Sequence, residues 1–518
     1  MKKKLGICAA AFLTAFACCI SFSACGKGVE DVETNLIIEY YDAGYGSAGF
    51  EALKTRFEQK YEGYTVTLIP NSGLISTNVE AVLGAGPSVT AVDLYFCGDL
   101  NIRSLVNRGP SVVGGYDCVL ADLSDVYEAR IDGTTYAEKM LPHIEAYNRN
   151  GETYYSTNWT TGSNGIAYRA DYFEANGWEV PATTQELAEL IQKMKTAGYV
   201  PFVWPGTTGY WAYATQVWWA QYAGEAQMAD FYRGIDLYGD QSADCFYTPA
   251  FLETYSALET CIGAEENSFG GSLSFTNRQA QNYFYLDQNK ICMMPNGEWL
   301  ETEMSKAGYA KGSVNVRMMK APLLSAVLYD TDVNGAKAFR FGSVRDEQTL
   351  RAVVKAVDRG ETSYAGVEAE DFAEISRMRN YVSTIGNLHQ AVIPAYANAM
   401  YIAKEFLKFM ATDEGMQIFY DNCGAVPPFN AANIRYSENA TAFEKDALDN
   451  AKGARMVMLN ASTEKLFYMT ELDFQVLVPE TYIGSQSEAD HMSAKDFFEH
   501  QYNYIGNRWS IYKTTAGI

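Results

Sequence analysis

Apolar and polar positions along the chain follow two rhythms. "LIIEYY", 36–41, is a nearly unbroken apolar run, the mark of a strand buried on both faces. It ends in a Gly-rich loop, "DAGYGSAG". The next stretch, "FEALKTRFEQKYEG", sets Phe50, Leu53, Phe57 and Tyr61 at helical spacing, with Gly63 just past the end. "YTVTLIP" alternates as a strand. "NVEAVLGAGPS" predicts a short helix broken by Gly-Pro, and "AVDLYF" another buried strand. Strand, helix, strand, helix, strand in that order predicts a parallel α/β sheet.

The rhythm restarts at "GIAYR", Gly165 to Arg169. Beyond it, Thr183 and Glu186 have capping-box spacing. Leu187, Leu190, Ile191 and Met194 form one apolar stripe, and Gly198 stops the helix. "PFVWPG" predicts a short strand before the aromatic segment "TTGYWAYATQVWWAQYAG". "NKICMMP" predicts a strand and "GEWLETEMSKAG" a helix. If that helix starts near Glu298, Leu300, Met304 and Ala307 make its buried stripe. Trp299 then lies about 100° off the stripe, on the side of Glu303. "MYIAKEFLKFMATDEGMQIFYDNCGAVPPF" is strongly helical, with Ala403, Phe406, Leu407 and Met410 on one face. Between them, 330–385 carries two helical patterns with charged surfaces and reads as an insertion.

At 518 residues the chain has room for two or three compact units. Its 37 Tyr and 8 Trp exceed what a core absorbs, which predicts that some line a wet surface. The formal net charge of −23 argues against nucleic acid and anionic lipid headgroups as partners. Acidic charge on such a chain serves solubility.

The N-terminus has a basic start, "MKKK", an apolar stretch, "LGICAAAFLTAFACCISF", and a small-residue close, "SAC". This is an export signal over residues 1–24. "FSAC" before Gly26 is similar to a bacterial lipobox, with Phe22 where an aliphatic residue is usual. Cys25 is the expected lipid anchor, and an ordinary cleaved signal with a free thiol is the alternative. Residues 25–35 form a polar tether. Cleavage removes three of the 40 basic residues, leaving 37 against 63 acidic, or −26. No later stretch reaches the roughly 18 apolar residues of a membrane span. Cys97, Cys118, Cys245, Cys261, Cys292 and Cys423 are widely spaced without CxxC and are expected as free thiols, Cys97 and Cys292 buried.

Sequence patterns for chemistry are sparse. The four histidines form no HExxH and no i,i+4 pair. There is no GxSxG, no Walker A, no GxGxxG after a strand and no EF-hand loop. No metal or cofactor is expected. A glycosidase carboxylate pair stays open, because it is defined by separation in space.

In open α/β sheets, ligands bind at the carboxyl ends of strands. Tyr45 follows the first strand and Asp99 follows "AVDLYF". Trp159 precedes "GIAYR", and Tyr210 and Trp211 follow "PFVWPGTT". Asn296, Glu298 and Trp299 follow "ICMMP". Aromatic faces suit the CH faces of a sugar, and carboxylates and amides suit its hydroxyls. Plain structural roles compete for some of these: Asp99 as an N-cap, Glu298 as a first-turn acid. Trp218 and Trp219 read as core, Trp178 and Trp204 as local packing.

"GIAYRADYFEANGWEVPATTQELAEL", "ICMMPNGEWLETEM" and "AKEFLKFMATDEGMQIFYDNCGAVPP", in that order, resemble the extracellular solute-binding proteins of ABC importers. The resemblance implies two α/β lobes in a periplasmic-binding-protein-like (Venus flytrap) fold, each lobe a mostly parallel sheet flanked by helices and discontinuous in sequence. The expected first lobe is 36–157 with 326–410, including the insertion; the second is 158–325 with 411–518. The resemblance further implies a mono- or oligosaccharide ligand, Trp299 stacking on a sugar, and delivery to a membrane permease without catalysis. The receptor would be a monomer at the outer face of the cell membrane, held there by lipid alone. Closure on ligand is then a population shift. Two alternatives stay open: a secreted polysaccharide-degrading enzyme and a binding protein for a non-sugar solute.

Overall fold

A computed structural model of the chain describes residues 33–100, 102–107, 118–332, 335–384, 389–457, 466, 478–485, 487 and 489–517. The expected leader 1–24, the expected anchor Cys25 and most of the expected 25–35 tether lie outside the described residues.

Two sheets organise the chain. The first has the order Thr65–Pro70, Asn35–Tyr40, Leu94–Phe96, Gln390–Val392, Thr157–Asn158. The second runs Val200–Phe202, Ile291–Gly297, Asn164–Arg169, Tyr381–Ser383, Arg455–Val457, with Val316–Met319 also beside Asn164–Arg169. Every residue of Asn164–Arg169 and Ile291–Gly297 is buried, as unbroken apolar runs require.

The sheets are mixed, which corrects the expectation of mostly parallel ones. Asn35–Tyr40 is parallel to both neighbours. Gln390–Val392 is antiparallel to Leu94–Phe96, and Asn164–Arg169 is antiparallel to Ile291–Gly297 and Val316–Met319. The chain enters Gln390–Val392 and Asn164–Arg169 directly from the other sheet. Neither needs the returning helix that enforces a parallel neighbour.

Helices cover the sheets where their stripes predict. Ala48–Lys60 buries Phe50, Leu53 and Phe57 in the first lobe. Thr184–Thr196 buries Leu187, Leu190, Ile191 and Met194 in the second. Half of its capping box forms: Thr183 accepts from the Glu186 amide, but the Glu186 carboxylate takes the amide of Ala182. Residues 335–384 of the 330–385 stretch pack in the second lobe rather than extending the first. Glu347–Asp358 and Ala369–Arg379 bury Leu350, Val353, Phe372 and Ile375 in its core, and Tyr381–Ser383 joins its sheet. Asp413–Cys423 packs on Ala48–Lys60, with Phe419 and Phe50 ring centres 5.2 Å apart, so the first lobe's helices extend past 410. An amphipathic stripe states that a helix is covered, not which sheet covers it.

The chain passes between the lobes at 159–163 and again between Cys423 and Ala442, and Tyr381–Ser383 and Gln390–Val392 lie in different sheets. Hydrogen bonds tie these passages together. The Thr161 amide and the Thr160 hydroxyl both donate to the Val426 carbonyl, at 3.0 and 2.7 Å. The Thr161 and Thr384 hydroxyls lie 2.9 Å apart, and the Trp159 amide donates to the His389 carbonyl at 3.1 Å. Cys97, Cys118, Cys245, Cys261, Cys292 and Cys423 are all buried and unpaired, as expected for free thiols. Among the described residues no helix is long and apolar enough to cross a membrane.

Candidate ligand-binding site

The buried strand Ile291–Gly297 delivers its carboxyl end to the seam between the lobes. The helix after it starts two residues later than expected, at Leu300, with Trp299 as N-cap. Leu300 and Met304 are buried, but Ala307 is exposed, because the helix ends at Lys306. Glu298 therefore precedes the helix and is not a first-turn acid. Trp299 folds back over Gly297, where a Cβ would fall inside the indole ring. Glycine at 297 is what lets the ring lie there.

Trp299 is 7 % exposed, walled by Tyr45, Tyr210 and Tyr213, with ring centres 6.4, 6.4 and 6.0 Å away, all edge-on. Tyr45 continues the cluster to Trp159 at 5.5 Å and His389 at 5.6 Å, and these two stand 4.8 Å apart. Edge-to-face packing of this kind adds about 0.5–1.5 kcal/mol per pair beyond burial. The Trp159 indole N–H donates to the Cys97 carbonyl at 3.0 Å, which fixes its plane.

Glu298 joins the lobes. Its amide donates to the Ser163 carbonyl at 3.1 Å. Its Oε1 accepts from the Tyr45 hydroxyl at 3.1 Å and from the Val426 amide at 2.8 Å, while Oε2 has no hydrogen-bond partner. Burial pushes this carboxyl up to about 8, against the lowering effect of the bonds from Val426 and Tyr45. It is mainly neutral at pH 7. His389 is neutral as well: burial pushes its imidazole down to about 3, and its Nδ1 has no partner. It sits at φ 59°, in the left-handed region, where the chain turns into the first sheet.

Of the expected residues, Tyr45, Trp159, Tyr210, Glu298 and Trp299 come together here. Asn296 is fully buried beside them, but its side chain serves its own strand, accepting from the Gly297 amide at 2.8 Å. Asp99 is half-buried on the first lobe, near Tyr41, whose phenol is raised by burial, then by Glu303, then by Asp99. Trp211 is not brought to the seam. It is fully buried in the second lobe's core, its ring 4.5 Å from Trp204 and its amide donating to Glu480 at 3.1 Å. Adjacent Tyr210 and Trp211 point to opposite sides at the entry to the helix Ala212–Tyr232.

Tyr213, His389 and Ser163 were not singled out by sequence. Tyr213 carried a signal, three residues after Tyr210 and so on the same side of the turn. His389 carried none, because only the crossing of the chain between lobes brings it to Trp159. Among the described residues no group of three His, Cys, Asp or Glu is placed to hold a metal ion.

Two lobes, the passages between them and a seam lined by rings and a buried carboxyl define a two-lobed binding protein. The chain belongs to the family of bacterial extracellular solute-binding proteins, whose family model matches residues 43–314. It is 26 % identical over 218 residues to the diacetylchitobiose binding protein NgcE of Streptomyces coelicolor, across 39 % of this chain. The chain spans 42 % of the length of that curated relative. Among solved structures, apo RafE of Streptococcus pneumoniae is similar with a TM-score of 0.58, at 16 % identity, over 92 % of this chain and 98 % of that one. The GacH receptor of Streptomyces glaucescens gives a TM-score of 0.55 at 14 % identity, over 94 % and 99 %. Both likenesses are of fold.

Proposed function

We propose that this protein captures a neutral carbohydrate at the seam and delivers it to the permease of an ABC importer. The observation that carries the reading is the Tyr45, Trp159, Tyr210, Trp299 ring cluster closed around a neutral Glu298. Ring faces offer apolar area to sugar CH groups. Polar atoms without partners in and beside the seam, Glu298 Oε2, Ser163 Oγ, Asn164 Oδ1 and Gln281 Oε1, offer bonds to hydroxyls. Neither the neutral acid nor the neutral histidine favours an anion, which sets the sugar reading above an anionic solute. The names of similar proteins support the class: NgcE is a diacetylchitobiose binding protein, RafE is seen in complex with raffinose and GacH with acarbose. Capture requires no bond-breaking step, so the protein acts as a receptor and not as an enzyme. It works as a monomer, tethered to the outer face of the membrane through lipid on Cys25.

Titration calorimetry of the mature protein against mono- and oligosaccharides tests this. One saturable site for a sugar is expected. No heat with any sugar, together with tight binding of a peptide or a metal ion, overturns the ligand class.

A further inference from the structure

We propose that Glu298 is a latch that couples closure of the two lobes to uptake of a proton from solvent. The inference rests on the two-lobed capture reading above, but its test needs no sugar.

The geometry is specific to this residue. Glu298 belongs to the second lobe, at the end of Ile291–Gly297, and its amide is held by Ser163 in the first passage between lobes. Its Oε1 reaches two partners beyond its own lobe: the Tyr45 hydroxyl, on the loop leading into Ala48–Lys60 of the first lobe, and the Val426 amide, in the last passage. One carboxyl oxygen thus joins a lobe to a hinge segment. Its other oxygen is buried without a hydrogen-bond partner, and the Thr160 hydroxyl beside the carboxyl donates to the Val426 carbonyl.

A buried carboxylate is stable when cations or several donors surround both oxygens. Here the titratable groups that face it are uncharged. Tyr45 stands on one side; Tyr420 and Cys423, on Asp413–Cys423, stand on another. Burial pushes both phenols up, and the Cys423 thiol up to about 12, so none ionises before Glu298. The charged groups further out face other atoms: Glu444 and Lys311 act on Cys423, and Glu444 and Asp449 on Tyr420. Closed lobes therefore favour the acid form, with the proton on Oε2 and Oε1 free to accept from Tyr45 and Val426. Parting the lobes admits water, which solvates the carboxylate, and the proton returns to solvent. Closure binds it again.

Solution X-ray scattering of the mature, ligand-free protein between pH 6 and 9.5 tests the latch. The wild-type radius of gyration is expected to be small at pH 6 and to grow as pH rises toward 9.5. Glu298→Gln carries a neutral amide that accepts the same two bonds, so it should stay compact across the range. Tyr45→Phe keeps the ring but removes the lobe-to-lobe bond, so it should be already expanded, or expand at lower pH than wild type. A wild-type radius that does not change with pH overturns the latch, as does a Glu298→Gln radius that grows in step with wild type. If Glu298→Gln does not fold, the wild-type and Tyr45→Phe curves decide, coincident curves overturning the proposal. Sugar heats that are absent while the radius responds as described contradict the ligand class alone.

Discussion

The Tyr45 hydroxyl lies 3.1 Å from a carboxyl oxygen of Glu298, although 253 residues separate them in sequence. The bond crosses from one lobe to the other inside a ring of aromatic side chains. It joins two residues that each follow the carboxyl end of a sheet strand, Asn35–Tyr40 and Ile291–Gly297.

Tyr45→Phe deletes that bond and keeps the ring packing on Trp159 and Trp299. A hydrogen bond of this kind contributes about 0.5–1.5 kcal/mol. Carbohydrate affinity is expected to fall roughly two- to tenfold, with a small drop in Tm. Calorimetry beside thermal unfolding checks both; unchanged affinity would show that the bond plays no part in the ligand-competent state.

The raised Glu298 pKa gives stability a sign with pH. The folded carboxyl titrates near 8, against 4.5 when unperturbed. Between those values the folded state holds a proton that the unfolded state has lost, so stability falls as pH rises, by about 1.36 kcal/mol per unit at most. Glu480, pushed by burial up to about 7 in the second lobe, acts in the same direction. Denaturant unfolding at pH 5, 6, 7 and 8 is expected to show a shallower decline in Glu298→Gln than in wild type. Parallel curves would contradict the protonated assignment.

Gly297→Ala puts a methyl group where the Trp299 ring lies. The ring must swing away from Tyr45, Tyr210 and Tyr213. Affinity is expected to fall about tenfold or more, with tryptophan fluorescence shifted, while the strand still forms. An unaltered spectrum would mean that the ring is not seated against this glycine.

Trp211 gives the opposite pattern. Removing a fully buried ring from the second core costs about 3–5 kcal/mol. Trp211→Leu is expected to lower Tm by several degrees and to leave the affinity of the folded fraction within twofold. A large loss of affinity at unchanged Tm would return Trp211 to the binding residues.

Much of this was legible in the chain. Apolar runs marked "GIAYR" and "NKICMMP" as strands, and the stripe Leu187, Leu190, Ile191, Met194 marked its helix outright. Corner placement named Tyr45, Trp159, Tyr210, Glu298 and Trp299, which the fold brings together. Three things were hidden. Strand direction depends on which lobe the chain arrives from, and hydropathy does not encode that. Tyr210 and Trp211 are neighbours with the same chemistry, and only the local turn sends one to the seam and the other to the core. His389 lacks any local pattern, and its partners, Tyr45 and Trp159, are supplied by segments far away in sequence.

The decisive experiment compares Trp299→Phe with wild type in calorimetric titration of the tightest-binding oligosaccharide, with Tm measured on the same samples. Phenylalanine keeps a ring in the seam but gives up indole area, so stability is expected to change little while affinity falls about tenfold, near 1.4 kcal/mol. Equal affinity for the two proteins would contradict capture of the sugar at the Trp299 seam.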